Sequence, residues 1–370
     1  MSSMQFEIQL VAAVVAAACA LPGAFLVLRQ MAMMSDAISH AILPGIVVAF
    51  FVTSDLSSPL LVVAAALTGL LTVSLVETVN RTRLVREDAA IGLVFPVLFS
   101  IGVVLIARYA GDVHLDTDAV LLGELAFAPL DRLIVGSYDL GPKSLYVMGG
   151  IGLLNLAFIV LFYKELKLAT FDAGLAAVLG FAPAVLHYVL MGLVSLTAVG
   201  AFNAVGSVLV VALMIGPPAT AYLLTDQLGR MIALSVLVGI ISAVAGYWVS
   251  YAFDVSIAGM IATVAGVLFG LTVLVAPDRG LIAAMRRRAR QRWTFATKML
   301  AVHLLQHEGL PESAQENRVK HLQEHLDWTE DFARQVVRKA SQEGLVEQLG
   351  GYLALTEKGR EYAREAVVQT

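Results

Sequence analysis

Nine apolar stretches, each about 18 to 22 residues long, are the feature of this sequence that most restricts its fold. At about 1.5 Å of rise per residue, a helix of about 20 residues crosses the ~30 Å hydrocarbon core of a bilayer. Backbone groups must be satisfied internally in lipid, so such stretches form helices, and the alternating pattern of a β-barrel is absent. The stretches lie at 8–28, 36–53, 59–79, 89–107, 145–163, 181–202, 204–224, 231–252 and 256–276. The pattern predicts an all-α polytopic membrane protein with about eight to nine transmembrane helices.

Composition separates the chain into two parts. The whole chain is 58% hydrophobic and 15% charged, whereas soluble domains are about 25% charged, so an ordinary soluble enzyme and a disordered chain are both excluded. Residues 1–285 hold 11 Lys and Arg with 17 Asp and Glu, while the much shorter segment 286–370 holds 14 and 12. We predict a transmembrane domain at 1–285 and a small soluble domain at 294–370.

Basic residues in short loops predict the orientation, because Lys and Arg concentrate on the cytoplasmic side. Segments 80–88, 164–180 and 286–292 are the basic ones, and the acidic loop 108–118 suits the outside. A chain of nine spans then begins outside and ends in the cytoplasm. Residues 119–137 are apolar enough to span, but a full span there would move 164–180 outside. We predict that 119–137 is re-entrant or interfacial.

Asp36 and His40 are the most informative ionisable residues within a predicted span. They are four residues apart, so a helix places both on one face. Counted from Arg29 at the interface, they lie about 10 Å and about 16 Å deep. Carboxylate and imidazole can ligate a divalent transition metal, but an Asp–His hydrogen bond between helices has the same spacing. The spacing alone leaves both interpretations open.

Three further residues are weaker candidate metal ligands. His187 could line a pathway or simply pack within its span, since a lone histidine is usually a packing residue. Glu124 lies in the stretch predicted as re-entrant and could face the outer mouth. Asn203 lies between two predicted spans, where capping a helix is favoured over coordination.

Four segments of the sequence carry a family likeness. They are SDAISHAILPG (35–45), REDAAIGLVFPVLFSIGVVL (86–105), LKLATFDAGLAAVLG (166–180) and NAVGSVLVVALMIGPPATAYLL (203–224). In order along the chain, they resemble segments of the integral-membrane permeases of ATP-driven importers for zinc, manganese and iron. The resemblance covers roughly residues 1–280. It implies a fold like that of the vitamin-B12 importers, with no permanent cofactor and a transported divalent metal (Mn, Zn or Fe).

The same resemblance implies partners and site residues. Asp36 and His40 match the family's metal-site motif. Residues 166–180 match the segment that docks into the ATPase, where Phe171, Asp172, Leu175 and Gly180 are the coupling residues. The partners are a separate ATP-binding cassette ATPase, an extracytoplasmic metal-binding protein and a second permease copy, as a homodimer or with a paralogue. The chain has no GxxxxGK[ST] phosphate-binding loop, so it is not predicted to be an enzyme itself.

The tail has a pattern of its own. Helical periodicity appears at 294–307, 313–325, 329–344 and 356–368, and Gly350-Gly351 between two apolar runs predicts a β-hairpin within 344–356. This order predicts a small cytoplasmic winged helix-turn-helix domain. Residues 351–363 (GYLALTEKGREYA) resemble the wing of metal-dependent repressors of the diphtheria-toxin-repressor type, a likeness that favours manganese as the transported ion.

Charge argues against DNA as a partner of this tail. Residues 295–370 hold 9 Lys and Arg against 12 Asp and Glu, whereas phosphate binding requires a basic face. The basic run 286–292 suits membrane lipid instead. We expect a regulatory or dimerising role. Two histidine pairs, His303 with His307 and His321 with His325, are either solvated helix faces or a cytoplasmic metal sensor.

Two other classes of function stay open on the sequence. An ion-coupled secondary metal transporter would show two pseudo-symmetric halves with paired broken helices. The sequence shows one helix that carries an Asp and a His, and no matching second half. A membrane-anchored metal-responsive transcription regulator would carry a basic recognition helix, but segment 329–344 has three basic and three acidic residues.

Overall fold

The computed structural model describes residues 3–54, 58–109, 125–135, 138–309, 317–318, 322, 326–349 and 351–368. The chain divides into two compact units, Met1–Gly280 and Leu281–Thr370. The first unit contains the long apolar helices. The second contains most of the charge-rich tail.

Helices dominate the first unit. In chain order they are α1 Ser3–Leu28, α2 Ala32–Ala41, α3 Leu43–Thr53, α4 Pro59–Arg81, α5 Glu87–Tyr109, α6 Lys143–Leu161, α7 Tyr163–Phe171, α8 Ala173–Val178, α9 Pro183–Val205, α10 Ser207–Leu224, α11 Leu228–Phe253 and α12 Ile257–Val275. Within the described residues, nine candidate membrane spans are long and apolar enough to cross a bilayer, with α2 and α3 together forming one of them. The nine predicted stretches are thereby confirmed.

The first helix, α1, lies at the centre of this unit. Val15 and Ala16 are fully buried there, and so are most residues of its second half. A Cβ atom at Gly23 would overlap the carbonyl oxygen of Met214 on α10. Small residues let helix backbones approach closely in membranes, so glycine at this position permits the contact between α1 and α10.

A short hairpin corrects the all-α prediction, because the unit is mostly helical and not wholly so. Strand β1, Arg132–Val135, pairs antiparallel with β2, Tyr138–Pro142. The described part of the stretch 119–137 consists of a 3₁₀ turn, Leu125–Leu130, followed by β1. Neither is long enough to cross a membrane.

One arginine ties the hairpin to the first helix. Arg132 Nη1 lies 3.2 Å from Glu7 Oε2 near the start of α1. Its Nε donates to Asp139 Oδ2 at 2.5 Å. The backbone N–H of Gly141 also donates to Asp139, at 2.9 Å. The hydrogen bond from Gly141 and the Arg132 guanidinium together hold the pKa of Asp139 below its ordinary value.

The second unit is built on a long helix. Its described elements are α13 Leu281–Gln306, α14 Glu330–Gln342, β3 Val346–Leu349, β4 Tyr352–Leu355 and α15 Glu357–Val368. The two strands form an antiparallel hairpin in which Leu349 is opposite Tyr352. The helix predicted from residue 294 begins at Leu281 and includes the basic run 286–292. Most of the predicted helix 313–325 lies outside the described residues.

Apolar side chains from the described elements of this unit meet in one core. α13 contributes an apolar stripe at helical spacing, as an amphipathic helix does. The stripe packs against the buried face of α14 and the inner residues of the hairpin. The core includes Leu300, Leu304, Val336, Ala340, Val346, Leu353, Leu355 and Ala363.

Candidate functional site

Asp36 and His40 lie one helical turn apart on α2. His40 Nε2 is 3.5 Å from Asp36 Oδ1, and the two side chains are 31% and 38% exposed respectively. Two ligand atoms about 2.1 Å from one tetrahedral ion are about 3.4 Å apart. The observed separation therefore fits a pair that holds one ion, and the partial exposure leaves room for an ion to enter.

The helix breaks directly after this pair. α2 ends at Ala41, Ile42 forms the junction, and α3 begins at Leu43 with Pro44 in its first turn. Proline lacks a backbone N–H, so it is tolerated in the first turn and disrupts a helix interior. The break therefore falls at Ile42, two residues before Pro44 and close to His40.

Aromatic side chains of α5 flank the histidine. The centroid of the His40 ring lies 6.0 Å from that of Phe95 and 6.4 Å from that of Phe99. The serines of α2 make backbone contacts instead. Ser39 Oγ donates to the carbonyl oxygen of Ser35 at 2.8 Å, and Ser35 Oγ donates to Ala32. The pair is therefore bordered by aromatic rings, while both serine hydroxyls are already bonded.

Over the described part of the chain, no group of three or more His, Cys, Asp or Glu side chains could hold a metal ion. The predicted ligand Glu124 lies outside the described residues. The side chain of Asn203 is likewise not described, and the residue at the N-terminal cap of α10 is Gly206. Asp36 and His40 are thus a two-ligand arrangement.

His187 belongs to a different polar cluster. On α9, its Nδ1 lies 3.0 Å from Arg29 Nη1, and its Nε2 lies 2.5 Å from Glu77 Oε1 on α4. The hydroxyl of Tyr188 donates to the other Glu77 oxygen at 2.6 Å. A guanidinium beside the imidazole makes binding of a cation there electrostatically unfavourable. The metal role of His187 stays a prediction that this geometry does not favour.

Glu77 and Arg29 were missed by the sequence reasoning as members of a site. The available signal was a carboxylate within the predicted span 59–79, since ionisable residues inside spans are costly and usually have a partner. The identity of that partner was not visible, because Arg29 and His187 are 158 residues apart.

The predicted coupling segment consists of two short helices and not one. Leu166 on α7 is fully buried in an apolar cluster with Phe25 and Leu190, which anchors the segment. Asp172 then separates α7 from α8, and its Oδ1 accepts from the backbone N–H of Leu175 at 2.8 Å. An aspartate at this position is a favoured N-cap.

Gly180 ends the segment. Its φ is +87°, a conformation that favours glycine. The N–H groups of Gly180 and Phe181 donate to the carbonyl oxygens of Ala177 and Ala176 at 3.1 and 3.0 Å, which is the Schellman pattern of helix termination. Both ends of α8 are therefore capped by the residues that the sequence singled out.

Exposed apolar side chains cover the segment. Phe171 is 63% exposed, Leu175 46% and Val178 84%. An apolar group gains about 25 cal/mol for each Å² removed from water. Exposed apolar residues beside a capped, anchored helix suit contact with another protein.

In the second unit, the ring centroids of His303 and His307 are 4.4 Å apart. His307 Nδ1 donates to the carbonyl oxygen of His303 at 2.8 Å, which leaves Nε2 as the nitrogen of His307 that could ligate. His321 and His325 lie outside the described residues.

Comparison with known proteins identifies the family of this chain. The sequence profile of the ABC 3 transport family matches residues 1–276. The chain belongs to this family. It is therefore a membrane transport subunit and not an enzyme.

Two curated relatives of this family member carry names that state a substrate. The chain is 46% identical over 356 residues to the zinc transport system membrane protein TroD of Treponema pallidum, covering 96% of this chain and 97% of TroD. It is 46% identical over 286 residues to the manganese transport system membrane protein MntD of Bacillus subtilis, covering 77% of this chain and 97% of MntD. The alignment with TroD extends beyond the family profile into the tail of this chain. The alignment with MntD includes 97% of MntD but only 286 residues of this chain.

A solved structure has the same fold as this transport subunit. The structure of PsaBC from Streptococcus pneumoniae in complex with a Fab superimposes with a TM-score of 0.61 at 30% identity. The match covers 75% of this chain and 94% of that chain. The first unit is thus an ABC permease fold.

Proposed function

We propose that this chain is the permease subunit of an ATP-driven importer that carries a divalent transition metal across a bacterial cell membrane. The observation that carries the proposal is the Asp36–His40 pair, with its oxygen and nitrogen 3.5 Å apart on a helix of a membrane unit. Ionisable residues within spans usually mark a substrate pathway. Carboxylate and imidazole bind the ions named for the relatives, zinc and manganese.

An incomplete ligand set suits transport. A closed four-ligand site would retain the ion, as structural zinc sites do. Two ligands from this chain bind more weakly, and we propose that water or the same pair in a second permease copy supplies the rest. The ion then passes between two copies of α2.

Manganese and zinc are the leading substrates, with ferrous iron third. The imidazole of His40 suits zinc and iron, and the carboxylate of Asp36 suits manganese. The likeness of the tail to manganese- and iron-responsive repressors favours manganese, and the named substrate of the relative that shares the tail is zinc. We propose that selection occurs mainly in the extracytoplasmic protein that delivers the ion.

Segment 166–180 is proposed to dock into the ATPase. Its exposed apolar residues, Phe171 and Leu175, would form the contact, while Asp172 and Gly180 would hold α8 in shape. The segment follows a fifth candidate span and precedes the sixth, so it lies in the cytoplasm if the chain begins outside. The basic segments 80–88 and 286–292 support that orientation.

The tail is proposed to be a cytoplasmic winged-helix domain that regulates or dimerises the permease. Its order of helices and a hairpin supports this assignment. Basic side chains near the proposed recognition helix α14 are engaged within the unit, since Arg334 contacts Glu330 at 2.7 Å and Arg292 stacks on Phe332. DNA is therefore not proposed as a partner.

Metal sensing is the form of regulation that we propose for the tail. His303 and His307 are adjacent on α13, and pairs at i, i+4 can share a metal. If the tail senses metal, changing both histidines to alanine in the full chain should leave basal uptake intact and remove its inhibition by excess manganese. Inhibition that persists in this variant would refute the sensing role.

Uptake by the reconstituted importer tests the main proposal. Loss of a group that only hydrogen-bonds a metal ligand costs about 10–100-fold in metal affinity or activity. Asp36→Ala and His40→Ala each remove a ligand itself, so each should reduce manganese or zinc uptake by more than that. Uptake should also fall at low pH, because the imidazole must be neutral to bind. Binding of the ATPase should be unchanged.

Ser39→Ala is the matched control. Ser39 lies next to His40, is 4% exposed, and bonds to a backbone oxygen of its own helix. Its substitution removes a hydroxyl without removing a ligand, so uptake should stay within about twofold of the unaltered protein. Normal uptake by His40→Ala, or an equal loss in Ser39→Ala, would overturn the assignment.

A further inference from the structure

Five polar side chains meet at the Arg81 end of α4. This group, the Arg29 cluster, consists of Arg29, Glu77, Thr170, His187 and Tyr188. Its members come from the corner between α1 and α2, from α4, from α7 and from α9. Four separate segments of the membrane unit are therefore joined at one point by polar contacts.

Arg29 makes the central contacts. Its Nε donates to Thr170 Oγ1 at 3.2 Å, and its Nη1 lies 3.0 Å from His187 Nδ1. A guanidinium can only donate hydrogen bonds, so His187 Nδ1 must be the acceptor. The imidazole is then neutral, with its proton on Nε2.

The other side of the neutral imidazole faces Glu77. His187 Nε2 lies 2.5 Å from Glu77 Oε1, although without the angle of a hydrogen bond. Glu77 Oε2 accepts from Tyr188 and lies 3.5 Å from Arg81 Nη2. Opposite charges on Arg29 and Glu77 therefore hold the imidazole between them, and the cluster has the form of a structural link between helices.

The link reaches the metal pair through a tight corner. Gln30 has a φ of +61°, and Gln30 and Met31 donate backbone hydrogen bonds to Val27 and Leu26 at 3.1 and 2.9 Å. α2 begins two residues after Gln30. A hydrogen-bonded corner of this kind passes a displacement on to the next helix, because few backbone torsions are free to absorb it.

One donor of Arg29 is not satisfied in this arrangement. Its Nη2 is buried and has no hydrogen-bond partner among the described residues. Buried donors are nearly always bonded, so Nη2 can take a further partner when the neighbouring elements move. Switching elements commonly have two discrete packings.

We propose that Arg29 transmits movement of the coupling segment to α2, so that ATP-driven displacement of Thr170 reaches Asp36 and His40 through the guanidinium. Arg29 is in this sense a positioning residue. The inference rests on the proposed function, in which segment 166–180 contacts the ATPase and α2 carries the metal.

Arg29→Lys tests the proposal. Lysine keeps the charge but has one compact ammonium in place of the planar fork, so it cannot hold Thr170 and His187 in the same geometry. The full complex of permease and ATPase is reconstituted in proteoliposomes, and ATP hydrolysis and Mn²⁺ uptake are measured on the same sample. We expect hydrolysis within twofold of normal and a ratio of Mn²⁺ transported per ATP that is lower by about tenfold, a common size for coupling between sites.

Thr170→Val provides a second, milder variant. It removes only the acceptor hydroxyl and should lower the ratio by about threefold, since one neutral hydrogen bond is lost. The double variant should be no worse than Arg29→Lys alone, because both changes break one connection. Arg81→Lys is the matched control. Arg81 touches the same carboxylate but its side chain is 75% exposed, so the ratio should not change.

Several results would overturn the proposal. An unchanged ratio in Arg29→Lys would do so, as would an equal fall in Arg81→Lys or losses that multiply in the double variant. If Arg29→Lys does not assemble, Thr170→Val decides alone, and an unchanged ratio refutes the link. If the unaltered complex does not take up Mn²⁺, Zn²⁺ or Fe²⁺, the proposed function itself is refuted. That outcome is seen without any variant, so the two failures are distinguishable.

Discussion

Replacing Gly180 by alanine should weaken the binding of the ATPase subunit. Gly180 closes α8 at a φ of +87°, and its N–H and that of Phe181 bond to the last carbonyl oxygens of the helix. No atom lies within 4 Å of the position that a Cβ would take. The substitution therefore causes no clash, and its effect comes from the backbone alone.

The size of the effect follows from this geometry. A residue with a Cβ costs about 1–2 kcal/mol in a left-handed conformation. α8 has six residues, and a helix so short depends on its caps because isolated helices below about 12 residues are marginal. A cost of 1–2 kcal/mol reduces the capped population by up to about 5- to 30-fold. The apparent affinity for the ATPase falls by the same factor.

Gly174→Ala is the control with the opposite sign. Gly174 lies inside α8, where alanine is favoured over glycine by about 1 kcal/mol. A Cβ there would meet Asp172 Oδ1 at 3.4 Å, an ordinary contact. The assay is a titration of the permease in nanodiscs with its ATPase subunit, alongside hydrogen exchange of the Gly180 and Phe181 amides. Binding by Gly180→Ala at normal affinity, or equal weakening by both variants, would refute the reasoning.

Two further predictions concern packing and pH. Gly45→Ala would place a Cβ 2.7 Å from the backbone oxygen of Ala64 on α4, which should destabilise the unit by about 1–3 kcal/mol. Gly92→Ala should not destabilise the unit, because no atom lies within 4 Å of its Cβ position. Equal melting temperatures of the two variants in detergent would contradict this prediction. The pKa of Asp139 is lowered by the Gly141 N–H and by Arg132. Its stabilisation of the hairpin is therefore present above the ordinary pKa of about 3.9 and lost as the pH falls through the lower, folded value. Hydrogen exchange of the hairpin should show this acid loosening in the unaltered protein and not in Asp139→Asn. An identical acid response in both proteins would count against the stabilising role of Asp139.

Local pattern was sufficient to predict the membrane spans of this protein. Each of the nine predicted stretches corresponds to a candidate span of the described residues, because bilayer thickness sets helix length independently of neighbours. The caps of α8 were also visible, since Asp172 and Gly180 act within a few residues of their own positions. The Asp36–His40 pair was predictable for the same reason, because both side chains lie on one helix.

Predictions failed where one segment's conformation depends on another. The pattern of 119–137 predicts a re-entrant or interfacial stretch but no strand, whereas its described part forms a 3₁₀ turn followed by β1. β1 is defined by its pairing with β2, and Arg132 is held by Glu7 from 125 residues away. A four-residue strand carries too little periodicity to be recognised without its partner.

By itself, the sequence determined that this chain is a membrane protein of about nine helical spans with a charged tail, and it identified the two metal-binding candidates. Those conclusions depend on hydrophobic length and on spacing within a helix, which are local quantities. Only the tertiary structure decided that the helix breaks beside His40 and that Arg29 joins Thr170 and His187. Contacts between residues 141 and 158 positions apart are set by how the helices pack. Many packings satisfy the same hydrophobic pattern, so the pattern does not specify these contacts.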